Sequence, residues 1–173
     1  HPAIGRATFR PSGDARSAVV SSGAMSPLAE RTIATVGSGV MAEAMIVGLL
    51  RGNLVTPSQV VASHPRAERR AALEEAHGIR VVASNAEAVD GADVVILAVK
   101  PQTLAKVGRE IAPHLRPCQL VLSVLAGPTT GALVATLDHD QVVRAMPNTP
   151  ARIGAGMTVW YATPACTEDQ RAQ

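Results

Sequence analysis

The sequence has 173 residues and a formal net charge of +2; apolar residues make up 47% of it and aromatic residues only 2%. This length suits one domain, or one domain and part of another. The small charge and the scarcity of rings argue against a basic or base-stacking nucleic-acid surface, and no apolar run approaches the roughly 20 residues of a membrane span.

The first 31 residues are rich in Arg, Ser, Gly, Pro and Ala and show no sustained periodicity. Their Arg-rich, acid-poor composition is also found in transit peptides. Pro2, Gly5, Pro11 and Gly13 make the amphipathic helix of a transit peptide unfavourable. We therefore expect residues 1–31 to be a disordered leader, with Met25 as the candidate start of the protein.

From residue 32 onward, strand-like and helix-like patterns alternate. Residues 32–36 are β-formers that end at Gly37, and residues 40–51 carry apolar side chains at helical spacing until Gly52. Next in chain order we predict a strand at 59–62, a helix at 65–77, a strand at 79–82 and a short helix at 85–90.

The second half of the chain continues this alternation. We predict a central parallel strand at 93–99, because the residues that follow Asp93, 94–99, form an unbroken apolar run. It is followed by predicted helices at 101–112 and 128–137 and predicted strands at 120–124, 141–145 and 157–161. Such alternation with short connections predicts an α/β fold, a Rossmann-like doubly wound and mostly parallel sheet, over residues 32–165. We expect residues 166–173 to begin a helix that leads to a further domain, absent from this chain.

A glycine-rich turn follows the first strand of this domain. The segment Gly37-Ser38-Gly39-Val40-Met41-Ala42 matches G-x-G-x-x-A, which between a strand and a helix is typical of dinucleotide binding. The first glycine permits a tight turn, the second lets the backbone approach a pyrophosphate, and the alanine allows close helix–strand packing. The amides of residues 38–41 are then expected to bind the diphosphate. The alternative is an ordinary glycine-bearing turn.

The residues after the second strand of the domain indicate which dinucleotide is bound. NAD sites usually carry Asp or Glu there, whereas this chain has Ser63, His64 and Arg66. Ser63 and His64 can hydrogen-bond a 2′-phosphate and Arg66 can neutralise it, so we predict NADP(H) rather than NAD(H). Arg69 and Arg70 are expected to form a solvated helix face.

Three later segments lie at the carboxyl ends of predicted strands, where a doubly wound sheet binds its ligands. They are Leu97-Ala98-Val99-Lys100-Pro101-Gln102, Ser123-Val124-Leu125-Ala126-Gly127 and Arg144-Ala145-Met146-Pro147-Asn148-Thr149-Pro150. Together with the glycine turn, in this order and at this spacing, they resemble pyrroline-5-carboxylate reductase. The resemblance covers roughly residues 32–165.

The resemblance implies an NADP(H)-dependent oxidoreductase of proline biosynthesis, which transfers hydride to the C=N carbon of 1-pyrroline-5-carboxylate and gives L-proline. It implies a position near the adenosine ribose for Asn85, and a substrate-side loop at Asn148 and Thr149. The residues that it implies beside the nicotinamide are Val99, Lys100, Pro101, Ala126 and Gly127. A solvated Lys100 and a purely structural turn at 147–150 are the alternatives. We assign no catalytic acid or base and no metal site.

The family's helical C-terminal domain, which supplies the dimer interface and much of the imine pocket, has no counterpart in the sequence. We therefore expect a homo-oligomer only for the full-length protein, and the fragment alone can be inactive. Two alternatives stay open: another NADP-dependent reductase of the β-hydroxyacid dehydrogenase type, and a non-catalytic dinucleotide-binding fragment. Cys118 and Cys166 are interpreted as free thiols of a reducing compartment, so we expect a cytoplasmic protein without nucleic-acid or membrane partners.

Overall fold

The computed structural model describes residues 4–8, 26–147 and 157–172. Its strands are β1 (Ile4–Thr8), β2 (Ile33–Val36), β3 (Val60–Ser63), β4 (Arg80–Val82), β5 (Val94–Leu97), β6 (Leu120–Ser123), β7 (Val142–Pro147) and β8 (Met157–Ala162). Its helices are α1 (Val40–Arg51), α2 (Ala67–His77), α3 (Asn85–Val89), α4 (Leu104–Ile111), α5 (Thr130–Leu137) and α6 (Glu168–Ala172). Short 3₁₀ turns lie at Pro57–Gln59, Pro101–Thr103 and Ala112–His114.

All eight strands form one sheet in the order β1-β8-β7-β6-β5-β2-β3-β4. The strands from β2 to β7 run parallel, and β8 and β1 are antiparallel to their neighbours. The chain winds outward from β2 through β3 and β4, then returns to the other side of β2 and winds through β5, β6 and β7. The order therefore reverses between β2 and β5, which is where a doubly wound sheet opens a ligand crevice. The predicted Rossmann-like fold is confirmed.

The core consists of aliphatic side chains on both faces of the sheet. In β2, Ile33 packs with Ile46 and Val60 on one face, whereas Ala34 and Val36 pack on the other face with a second cluster that includes Leu97 and Leu133. Burial of both faces explains why the parallel strands are continuous apolar runs instead of alternating ones. Each fully buried Leu or Ile contributes about 1.5–3 kcal/mol.

Several boundaries differ from the predictions in ways that matter for the site. The predicted helix at 101–112 is a 3₁₀ turn at Pro101–Thr103 followed by α4, and it ends in the turn that contains Pro113. Strand β3 ends at Ser63, one residue later than predicted. That shift places Ser63 inside the sheet instead of in the loop that follows it.

The segment Ile4–Thr8 pairs antiparallel with β8, so the prediction of a disordered leader is wrong for these residues. Leu28 is also buried, and the Gln59 side chain donates hydrogen bonds to the carbonyls of residues 28, 29 and 31. Composition does not reveal such a strand because backbone hydrogen bonds to an open edge require no particular side chains. The assignment of residues 166–173 to the start of a further domain stays a prediction.

Within the described ranges, no helix combines the length and the apolar character that crossing a bilayer requires. Cys118 is exposed, Cys166 is buried, and both are free thiols.

Candidate dinucleotide site

The turn after β2 requires glycine at its first position. Gly37 has a φ of +82°, a region that residues with a side chain rarely adopt. A Cβ atom at Gly37 would lie 2.7 Å from Val99 Cγ1 and 3.1 Å from the carbonyl oxygen of Ala98. The turn after β2 therefore packs directly against the turn after β5.

Gly39 is the exposed N-cap residue of α1, and no side chain caps the helix there. A Cβ atom at Gly39 would have no neighbour within 4 Å, so the space above the backbone is open. Val40 is 60% exposed and Met41 is half-buried, while Ala42 is fully buried. The first N–H groups of a helix have no partner within it and carry the positive end of its dipole. This geometry is suited to an anion.

Ser38 and Ser63 are both fully buried beneath this turn. The Ser38 hydroxyl donates to the carbonyl oxygen of Ser63 at 3.0 Å, and the Ser63 Oγ accepts the N–H of Gly37 at 3.3 Å. The Ser63 Oγ also lies 2.7 Å from the Oδ1 of Asn85. The structure gives Ser63 this supporting role in place of the predicted contact with a 2′-phosphate, because its side chain is fully buried and its hydroxyl is used by Gly37 and Asn85.

His64 and Arg66 follow β3 and lie at the surface of the crevice. The Nδ1 of His64 accepts the backbone N–H of Arg66 at 3.2 Å, which leaves the ring proton of the neutral form on Nε2. Burial lowers the pKa of His64 below its ordinary value, so the ring is neutral at pH 7 and can donate one hydrogen bond. Arg66 is exposed at the N-terminus of α2.

Arg69 and Arg70 do more than form the predicted solvated face. The Arg69 Nη2 lies 2.6 Å from the Oε2 of Glu43 in α1, and its Nε donates to the carbonyl oxygen of Ser38 at 3.4 Å. The hydrogen bond from Arg69, followed by one from His77, lowers the pKa of Glu43. Arg70 donates to the carbonyl oxygens of residues 64 and 65. Arg69 therefore ties α2 to the glycine turn, and Arg70 ties α2 to the residues that follow β3.

Asn85 begins α3, and both ends of its side-chain amide are bonded. Its Oδ1 faces the Ser63 hydroxyl, and its Nδ2 donates to the Oε2 of Glu110 in α4 at 3.0 Å. Sequence reasoning missed Glu110 because no motif includes it and it lies 25 residues from Asn85.

The residues predicted beside the nicotinamide lie on the other side of the crevice. Val99 is half-buried against Gly37, and Lys100 and Pro101 are exposed after β5. After β6, Ala126 and Gly127 are exposed, and Gly127 has a φ of +103°. Gly127 lines a depression of about 450 Å³ with Thr129, Arg144 and Tyr161 among its other residues. Asn148 and Thr149 lie outside the described residues.

Among the residues that the structure describes, no group of three or more His, Cys, Asp or Glu side chains is arranged to hold a metal ion.

The sequence pattern of one protein family matches residues 32–127, a range that begins one residue before β2 and ends at Gly127. That family is described as NADP oxidoreductase, coenzyme F420-dependent. The chain belongs to this family.

Within the NADP oxidoreductases, the chain is similar to pyrroline-5-carboxylate reductases. The enzyme of Pseudomonas aeruginosa is 47% identical over 131 residues, which are 75% of this chain and 48% of that protein. The structure of the Coxiella burnetii enzyme matches with a TM-score of 0.76 and 30% identity, over 82% of this chain and 53% of that one. The Plasmodium falciparum enzyme, solved with NADP bound, shares the fold with a TM-score of 0.72 and 22% identity, over 82% of this chain and 52% of that one. The resemblance drawn from the motifs is confirmed, and the chain spans about half the length of these relatives.

Proposed function

We propose that this chain is the dinucleotide-binding part of an NADPH-dependent enzyme that reduces 1-pyrroline-5-carboxylate to L-proline. The observation that carries the proposal is the packing of Gly37 against Val99. This contact joins the two turns at the point where the strand order reverses, next to the uncapped N-terminus of α1. The substrate is inferred from the relatives that carry this name.

The geometry supports one direction for the cofactor across the crevice. Its diphosphate lies over Gly39, where the open backbone and the amides of the first turn of α1 favour an anion. Its adenosine lies towards the end of β3 and Asn85. Its nicotinamide lies over the turns after β5 and β6, formed by residues 99–101, Ala126 and Gly127.

Selectivity for NADPH is assigned to Arg66 and His64. Arg66 is exposed at the end of β3 and supplies a positive charge, and the Nε2–H of His64 supplies a donor. No carboxylate follows β3 directly, because the residues there are His64, Pro65 and Arg66. The family description, which names NADP, supports the same cofactor.

The bound dinucleotide supplies the hydride, and the residues of this chain position the nicotinamide ring and shield one side of it. A protonated imine carbon is already electrophilic, so we assign no general acid or base to this chain. Asn148 and Thr149 are proposed to contribute to the substrate side of the site. The remaining half of the relatives' length is expected to complete the imine pocket.

The placement of the diphosphate is tested by Gly39→Val. A side chain at residue 39 meets no protein atom within 4 Å, so the variant should fold, while its branched side chain occupies the space that the pyrophosphate needs. Titration with NADPH, followed by nucleotide fluorescence, should show a loss of affinity of about 100-fold or more. Gly48→Ala in the same helix, also at an open position, is the control. Unchanged affinity in the Gly39 variant contradicts the placement.

The reaction is tested with the protein extended to the length of its relatives. That protein should oxidise NADPH when given 1-pyrroline-5-carboxylate and not when given a 3-keto acid. The opposite preference would favour an enzyme of the β-hydroxyacid dehydrogenase type. Tight binding of NADPH without turnover of either substrate would favour a non-catalytic dinucleotide-binding module.

A further inference from the structure

A line of hydrogen bonds runs from the surface of α4 to the glycine turn. Glu110 accepts from the Nδ2 of Asn85 at 3.0 Å. The Oδ1 of Asn85 lies 2.7 Å from the Ser63 Oγ, which accepts the N–H of Gly37 at 3.3 Å. These four residues belong to α4, α3, β3 and the turn after β2, so the line connects distant parts of the sequence.

The direction of every bond in this line follows from the carboxylate at its end. An ionised carboxylate only accepts hydrogen bonds, so Glu110 requires the NH₂ end of the Asn85 amide to face it. The Oδ1 must then face Ser63. The single hydroxyl proton of Ser63 goes to this nearer acceptor at 2.7 Å, and not to the carbonyl oxygen of Thr35 at 3.4 Å. A lone pair of Oγ is thereby left for the N–H of Gly37.

We propose that Glu110 is a positioning residue for dinucleotide binding, which acts by fixing the orientation of the Asn85 amide. This inference rests on the proposed function, because it concerns the same cofactor. With one Nδ2 hydrogen given to Glu110 and one Oδ1 lone pair given to Ser63, Asn85 keeps one donor and one acceptor for a ligand. A ribose hydroxyl can use both. Without Glu110, the amide is free to rotate and the two groups lose their fixed directions.

The affinity for NADPH distinguishes positioning from a purely structural tie between α3 and α4. Glu110→Ala should weaken binding about 3- to 10-fold, the usual effect of losing one oriented hydrogen bond. Glu110→Gln should recover only part of the affinity, because its side-chain oxygen can still accept from Asn85 while its NH₂ group also permits the reversed Asn85 amide. Glu75→Ala, which removes an exposed glutamate of α2, should bind NADPH like the original protein. Thermal unfolding of each variant, measured alongside, separates loss of fold from loss of affinity.

A double-mutant cycle tests whether Glu110 acts through Asn85. Asn85→Ala combined with Glu110→Ala should bind NADPH no more weakly than Asn85→Ala alone. Additive losses, or an unchanged affinity in Glu110→Ala, would overturn the inference. If the alanine variant does not fold, Glu110→Asp is the alternative, because it keeps the charge but shortens the side chain by one methylene. Unchanged NADPH affinity in Glu110→Asp would also overturn the inference. Failure of the unmodified protein to bind NADPH would instead reject the proposed function.

Discussion

The turn after β2 requires glycine at residue 37 for its own geometry, whereas glycine at residue 39 is needed only for the proposed contact with a diphosphate. Gly37→Ala places a side chain at a φ of +82° and brings its Cβ within 2.7 Å of Val99 Cγ1. We expect a loss of about 2 kcal/mol in the free energy of unfolding from backbone strain and overpacking, measured by urea denaturation. Gly39→Val should cost less, about 1 kcal/mol, because valine is a poorer N-cap residue than glycine but its Cβ meets no protein atom within 4 Å. Equal stability of the two variants would contradict this division.

Arg66 is expected to contribute to the choice between the two nicotinamide cofactors. Arg66→Ala should weaken NADPH binding by about tenfold, the effect of losing one charge-assisted hydrogen bond, and should leave NADH binding nearly unchanged. Parallel titrations with NADPH and NADH at fixed ionic strength measure the ratio. An equal loss for both cofactors would show that Arg66 does not recognise the 2′-phosphate.

The sequence predicts part of this site at the level of single residues. The tight turn at Gly37 and the close packing of Ala42 could be assigned because such a turn is determined by a few consecutive residues. The contact of Gly39 with a diphosphate stays a prediction. The supporting role of Ser63 could not be assigned, because it depends on β3 ending at Ser63, one residue later than predicted, with the side chain fully buried. Glu110 could not be found at all, since its role depends on how α3 and α4 pack.

Two helices meet closely at Gly108, where α4 packs on α5. A Cβ atom there would lie 2.5 Å from Thr136 Cγ2 and 2.9 Å from the Thr136 carbonyl oxygen. Alanine is the better helix former by about 1 kcal/mol, but contact with backbone cannot be relieved by rotating a side chain. We therefore expect Gly108→Ala to destabilise the protein by about 1–3 kcal/mol, as measured by denaturant unfolding. Gly48→Ala, at an open position of α1, should instead stabilise it.

Glu43 joins α1 to α2 through Arg69 and His77. These partners lower its pKa in the folded protein, so the bond adds stability above the carboxyl's ordinary pKa and loses that contribution as pH falls through the lowered value. Glu43→Gln should cost about 1 kcal/mol at pH 7, and the difference should vanish under acidic conditions. Unfolding curves at several pH values test this. A difference that persists at low pH would indicate a packing effect instead of an ionic one.

At the level of the whole molecule, the order of strands and helices from residue 32 follows the predicted one throughout the described residues. The sequence has apolar runs of four to seven residues, and segments with helical periodicity lie between them. When the connections are short and right-handed, few topologies of the sheet are compatible with this pattern. Strand β1 could not be predicted, because its place in the sheet depends on the open edge of β8 and not on its own composition. Sequence reasoning thus predicted the strands and helices that have a local sequence pattern. It missed β1, whose position depends on pairing with a strand far away in the sequence.

The contact between Gly37 and Val99 has a consequence for the thermodynamics of binding. Because the turns after β2 and β5 pack against each other, they fix the distance between the positions proposed for the diphosphate and for the nicotinamide. In the proposed placement, the cofactor would therefore bind a site whose length is already fixed, and the protein would lose little conformational entropy on association. Val99→Leu would enlarge the contact and move the turns after β2 and β5 apart. The affinity should then fall most for the intact dinucleotide and least for a ligand that corresponds to only one of its halves.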